Sequence, residues 1–198
     1  MEILSKLFGS SVRVKIMRLF ILNTDTVFDI KMLVSKARVP KTSLRKDLNV
    51  LVAIGFIKRK NSKGKLLGFI FNPDFAFISP IKELLLNPEF MKKDEITSRF
   101  KQVGRVKLLA VSGIFIDNNE SRLDILLVVD KIKRSVFDQI IKTLEAELGK
   151  ELTYAIFTPD EFFYRLGMYD KLLSDMLDFP HEKLIATPEF STFTLKKT

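Results

Sequence analysis

Apolar residues recur at helical spacing three times in the first 53 positions. In residues 12–22, Val12, Ile16, Leu19 and Phe20 share one helical face, Arg13, Lys15 and Arg18 lie opposite, and Ser10 or Ser11 is placed to cap the helix. Residues 28–36 repeat the pattern with Ile30, Leu33 and Val34. A tight turn over 37–40 follows, with Pro40 at the first helical position. A third helix is predicted over 41–53: Leu44, Leu48 and Leu51 face inward, and Lys41, Thr42, Ser43, Arg45, Lys46 and Asn49 form the outer face. Gly55 ends it.

The pattern then becomes β-prone. Residues 56–60 and 66–71 flank the polar stretch 61–65, which predicts a hairpin carrying Arg59, Lys60, Lys63 and Lys65. Pro73, Pro80 and Pro88 punctuate a connector holding a short helix over 78–87, with Ile81, Leu84 and Leu85 buried, and a polar helix over 93–103. From Arg105 the pattern changes again. Strands are expected over 107–115, 123–129, 152–157 and 183–186, the second buried on both faces, with a polar turn over 117–121. Helices are expected over 135–148, 160–166 and 171–177, the first with Val136, Ile140, Ile141, Leu144 and Leu148 inward and Gly149 at its end. The fold class is α+β: a winged helix-turn-helix over 1–75, a helical connector over 76–104, and a small α/β domain over 105–190.

Charge sharpens this picture. Residues 1–72 hold 15 Lys and Arg against 4 Asp and Glu, whereas residues 73–198 hold 18 against 20. The whole positive excess of +9 therefore sits in the first third, which points to a polyanionic partner for that part. A helix fits the major groove, and a basic hairpin lies along the backbone or in a minor groove, so double-stranded DNA is the expected partner. Lys41, Thr42, Ser43, Arg45 and Lys46 on the helix, with Arg59, Lys60, Lys63 and Lys65 on the hairpin, are the candidate contacts, Arg45 being suited to guanine O6 and N7. The chain has no cysteine, which excludes disulfides, thiolate metal sites and cysteine nucleophiles. Charges within residues 1–23 break any signal-peptide core, and no 18-residue apolar run occurs, so a cytoplasmic protein without a membrane partner is expected. No cofactor or metal is expected, and the lone His181 lacks partners for a metal or catalytic set.

The segments LFGSSVRVKIMRLFILN, KTSLRKDLNVLVAIGFIKRK and PIKELLLN resemble those of bacterial and archaeal winged-helix regulators that carry a nucleotidyltransferase-like domain, and the resemblance covers nearly the whole chain. It implies a nucleotidyltransferase core with Gly-Ser after its first strand, two Asp one residue apart on the next, and a third carboxylate on a later strand, the acids holding two Mg²⁺. This chain departs at each point. Ser112-Gly113 reverses the pair, Arg122-Leu123-Asp124 replaces one acid with a cation, and Glu151 is the only acid at the start of the third strand. The domain is therefore expected to be catalytically inactive and to serve dimerisation, a protein partner or ligand binding. Ser112, Gly113, Arg122 and Asp124 are read as a degenerate nucleotide site, with Asp124 alternatively a structural residue bonding backbone at the strand entrance. The run Phe162-Phe163-Tyr164 with Leu166 reads as core or as a homodimer face. Two other readings are an active nucleotidyltransferase with a winged-helix adaptor, and an RNA- or ribosome-binding module.

Overall fold

The computed structural model describes residues 2–87, 92–118 and 120–191; Pro88 of the expected connector and Asn119 of the expected turn lie outside them. The chain forms a mixed α+β protein: N-terminal helices with a β-hairpin, then a four-stranded mixed sheet with helices. It divides into two compact units, one of residues 1–90 with 142–151, the other of 91–141 with 152–198.

The first unit opens with a short helix, α1 (Glu2–Leu7), that the apolar pattern does not disclose. α2 (Ser11–Leu22) is capped by Ser10, whose hydroxyl accepts the Arg13 amide. α3 (Ile30–Ala37) starts two residues later than predicted, because Asp29 caps it and Phe28 is drawn instead into a bridge with Phe69. α4 (Lys41–Ala53) follows, with Pro40 as its N-cap rather than its first residue. Strands β1 (Ile57–Ser62) and β2 (Lys65–Phe71) pair antiparallel around a two-residue turn, shorter than the predicted loop. Lys63 and Gly64 both have positive φ there, the geometry that matches strand twist in tight hairpins. α5 (Ile78–Leu86) buries Leu85 fully, with Ile81 and Leu84 half-buried.

α2 packs more deeply than its predicted two-faced pattern implies. It is buried along most of its surface, through Val14, Ile16, Met17, Leu19, Phe20 and Ile21. Arg18, predicted on a polar face, is only 2% exposed. Its Nε donates to the Leu85 carbonyl at 2.7 Å and its Nη1 to the Glu147 carbonyl at 2.8 Å. Burial lowers its pKa to about 10, against the opposing pull of the Glu147 charge, so it stays cationic at neutral pH. The α2 surface also meets Gly149, where a Cβ would stand 2.6 Å from the Leu19 amide nitrogen.

In the second unit, α6 (Lys93–Phe100) and a 3-10 turn lead into β3 (Arg105–Val111). The predicted strand over 107–115 is thus displaced: it begins at Arg105 and stops at Val111, and Gly113–Phe115 forms a 3-10 turn. β4 (Ile125–Asp130) pairs antiparallel with β3, and α7 (Arg134–Leu148) carries the chain to β5 (Tyr154–Phe157), which is parallel to β4. Phe137 takes the fully buried place in the first turns of α7, and Val136 is half-buried. α8 (Pro159–Gly167) and α9 (Lys171–Asp178) precede β6 (Glu182–Ala186), which pairs antiparallel with the other side of β3, and α10 (Pro188–Ser191) closes the described chain. The order β5-β4-β3-β6 makes β4 an interior strand, which is why Ile125–Val129 is apolar without alternation and buried throughout. Phe162 is core, in contact with Phe190, whereas Tyr164 is exposed. Among the described residues no helix is long and apolar enough to cross a membrane.

Candidate nucleic-acid interface

The outer face of α4 exists because its leucines are committed inward. Leu44, Leu48 and Leu51 are buried, each burial stabilising the unit by about 2 kcal/mol, and this rotation turns Lys41, Thr42, Ser43, Arg45, Lys46 and Asn49 to solvent. The one acidic residue of α4, Asp47, points the other way and is 3% exposed. Its Oδ1 accepts from Arg13 Nε at 3.1 Å and Nη2 at 2.9 Å, and its Oδ2 accepts from the Ser10 hydroxyl at 2.6 Å. Arg13 Nη1 also donates to the Phe8 carbonyl at 2.7 Å. The α4 carboxylate is thereby neutralised internally, and the outer face of α4 carries cations and neutral polar groups alone.

The hairpin supplies the facing wall. Arg59 pairs in register with Phe69, and a register shift falls between Lys60 and Asn61. An open cleft of about 430 Å³ runs between α4 and the hairpin, with Arg45 and Asn49 on one side, Arg59 and Asn61 on the other, and Leu48 and Phe69 among its lining. Of the predicted contacts, Arg45 and Arg59 are brought together here. Lys41, Thr42, Ser43 and Lys46 stand on the same helix and Lys60, Lys63 and Lys65 on the hairpin; all are exposed but outside this cleft. From the sequence, Asn61 reads only as a turn residue. Its place in the cleft depends on the strand running on to Ser62, and the available signal was its spacing of two from Arg59. Gly68 is required opposite: a Cβ there would stand 2.4 Å from the Phe28 carbonyl oxygen, so only glycine allows the bridge that backs the hairpin.

The degenerate-site residues lie in the second unit, at the end of β3 and the entrance to β4. Ser112 is buried, and its hydroxyl donates to the Pro180 carbonyl at 2.7 Å. Gly113 has φ of 58°, and a Cβ there would collide with Asp124 Oδ1. Asp124 is buried; its Oδ1 accepts the Ile114 amide at 3.2 Å and its Oδ2 the Thr153 amide at 2.9 Å. Its carboxylate thus ties together the three segments that meet at this end of the sheet. The Arg122 side chain is 64% exposed, with Nε 3.2 Å from Asp175 Oδ2. Glu151 belongs to the first unit, where Lys36 bonds it at 2.9 Å and, through that bond and its charge, holds its carboxyl below the usual range. His181 Nδ1 lies 3.0 Å from the Phe179 carbonyl. Among the described residues no group of three or more His, Asp or Glu is placed to hold a metal ion.

The geometry defines a two-unit α+β protein with a cationic helix-and-hairpin surface. No family model matches the chain, and no curated protein or solved structure matches it either.

Proposed function

We propose that the chain is a sequence-specific transcriptional regulator that binds double-stranded DNA through a winged helix-turn-helix, with α4 as recognition helix and β1–β2 as wing. One observation carries this reading: Arg45 and Asn49 of α4 share an open cleft with Arg59 and Asn61 of the hairpin, while the only acid of α4 is buried against Arg13. Arginine and asparagine are the side chains suited to bidentate contact with guanine and adenine in the major groove. The exposed lysines at Lys41, Lys46, Lys60, Lys63 and Lys65 suit phosphates, which position the protein without reading sequence.

The second unit is, on this reading, a nucleotidyltransferase-like fold without catalysis, serving dimerisation, a protein partner or a ligand. The bonding of both Asp124 oxygens to backbone amides supports that role, because it gives the carboxylate a structural task where a metal ligand is expected. A regulator of this kind works in the cytoplasm.

A gel-shift titration tests the proposal. Arg45→Ala is expected to blur sequence preference, and Lys63→Ala to weaken binding evenly across sequences. Equal duplex affinity in wild type and an Arg45→Ala/Lys46→Ala/Lys63→Ala variant overturns it. Label transfer from ATP with Mg²⁺ that vanishes in Asp124→Asn overturns the inactive assignment.

A further inference from the structure

The second unit carries a cationic cleft that the DNA reading does not use. It measures about 490 Å³ and is lined by Lys101, Gly104, Arg105, Asp130, Lys131 and Lys133. It lies where β3 begins and β4 ends, at the other end of these strands from Ser112-Gly113 and Asp124. Arg105 and Asp130 are register partners there. Four cations thus surround one carboxylate, and that carboxylate also has Lys107 Nζ at 4.0 Å. Lys101, Arg105, Lys131 and Lys133 are all exposed, and none of them forms an ion pair among the described residues.

The backbone holds the two cation-bearing segments close. Gly104 has φ of 150°, and a Cβ there would stand 3.0 Å from the carbonyl oxygens of both Asp130 and Lys131. The Lys133 amide donates to the Val103 carbonyl at 2.7 Å. Lys131 sits in the left-handed region at φ of 50°, a conformation that costs a non-glycine residue energy. Like charges gathered in one concavity repel each other, and the single carboxylate of Asp130 offsets only part of that repulsion. Such a cleft focuses positive potential and draws anions.

We propose that this cleft binds a compact oligophosphate, either free or as the phosphate tail of a nucleoside di- or triphosphate. Lysine and arginine offer donors only, so the matching ligand is an acceptor rich in negative charge. Asp130 sets a threshold: a singly charged anion meets its repulsion, whereas a chain of phosphates engages several cations at once. The volume lies within the range of small-ligand sites, roughly 300–1,000 Å³.

The test is calorimetric titration of the full chain with inorganic tripolyphosphate at physiological salt. Saturable one-to-one binding is expected. Arg105→Ala/Lys133→Ala should weaken it at least roughly tenfold, and Lys101→Gln/Lys131→Gln similarly, with unchanged thermal melting showing that both variants fold. The Arg45→Ala/Lys46→Ala/Lys63→Ala variant should bind as wild type does. ATP binding tighter than tripolyphosphate supports a nucleotide as the source, and equal binding supports the phosphate chain alone. Absence of saturable binding, wild-type affinity in both cleft variants, or loss only in the α4-and-hairpin variant overturns the proposal. So does loss of duplex DNA binding in the cleft variants without any tripolyphosphate binding, which assigns the cleft to the nucleic-acid backbone.

Discussion

Asp47 shows how one side chain serves a surface it never reaches. Left exposed, its charge would oppose any polyanion approaching α4; buried, it depends on Arg13 and Ser10. Asp47→Ala therefore does not simply make the surface more cationic. It strands the Arg13 guanidinium, and the expected cost is about 3 kcal/mol of stability, read as a lower urea midpoint. Arg18 and Arg13 both count in the formal charge of the N-terminal third, yet one is buried and the other is tied to Asp47. Charge counted along a sequence overstates what a partner meets, because counting ignores which cations the fold itself engages. Asp124 follows the same logic at the other site: a lone carboxylate was legible, but its two backbone donors come from positions 114 and 153 and only folding brings them together.

At the scale of elements, the hairpin turn and α9 are the most testable. Lys63 carries a left-handed conformation that asparagine adopts more readily, so Lys63→Asn should raise the melting temperature slightly, while Gly64→Val should destabilise by about 1–2 kcal/mol. Asp170 caps α9 by accepting the Leu172 and Leu173 amides and pairs with Arg165 at 2.9 Å. Partial burial pushes its pKa up, but the Arg165 bond and the two amides outweigh this, and the carboxyl lies below its ordinary 3.8. A carboxyl depressed in the folded state contributes stability in full above about pH 3.8 and loses it as the pH falls through the lower folded value. Asp170→Asn keeps the cap and removes the charge. The stability gap between wild type and this variant should close below pH 3.8, as followed by thermal melts across an acid series. Apart from α1 and α10, helix positions were legible chiefly because buried apolar residues recur at helical spacing. Ends were less so: Phe28 is lost from α3 and residues 112–115 from β3, since a bridge and a tight turn are set by distant partners.

For the molecule as a whole, salt dependence tests the proposed duplex binding. Neutralising about five phosphates should give a log–log salt slope of roughly −4 to −5 for duplex binding. A slope near zero in filter-binding or anisotropy titrations between low and physiological salt would remove the electrostatic basis of the assignment. Tripolyphosphate gives an independent axis at this scale, since its proposed site lies in the other unit. Division of the chain follows contacts rather than sequence order: residues 142–151, the end of α7 and the turn after it, count with the first unit, through bonds such as Asn23 Nδ2 to the Gly149 carbonyl at 3.0 Å. Nothing in the local pattern of α7 announces that change of company.

Sequence alone determined the helix-rich start, the basic hairpin, the buried β4 run and the concentration of positive charge in the first 72 residues. All of these are properties of neighbours a few positions apart. Tertiary structure decided which cations remain available, which residues share a cleft, and what holds Asp124 and Gly149. Those outcomes join positions tens of residues apart, and no periodicity along the chain encodes them.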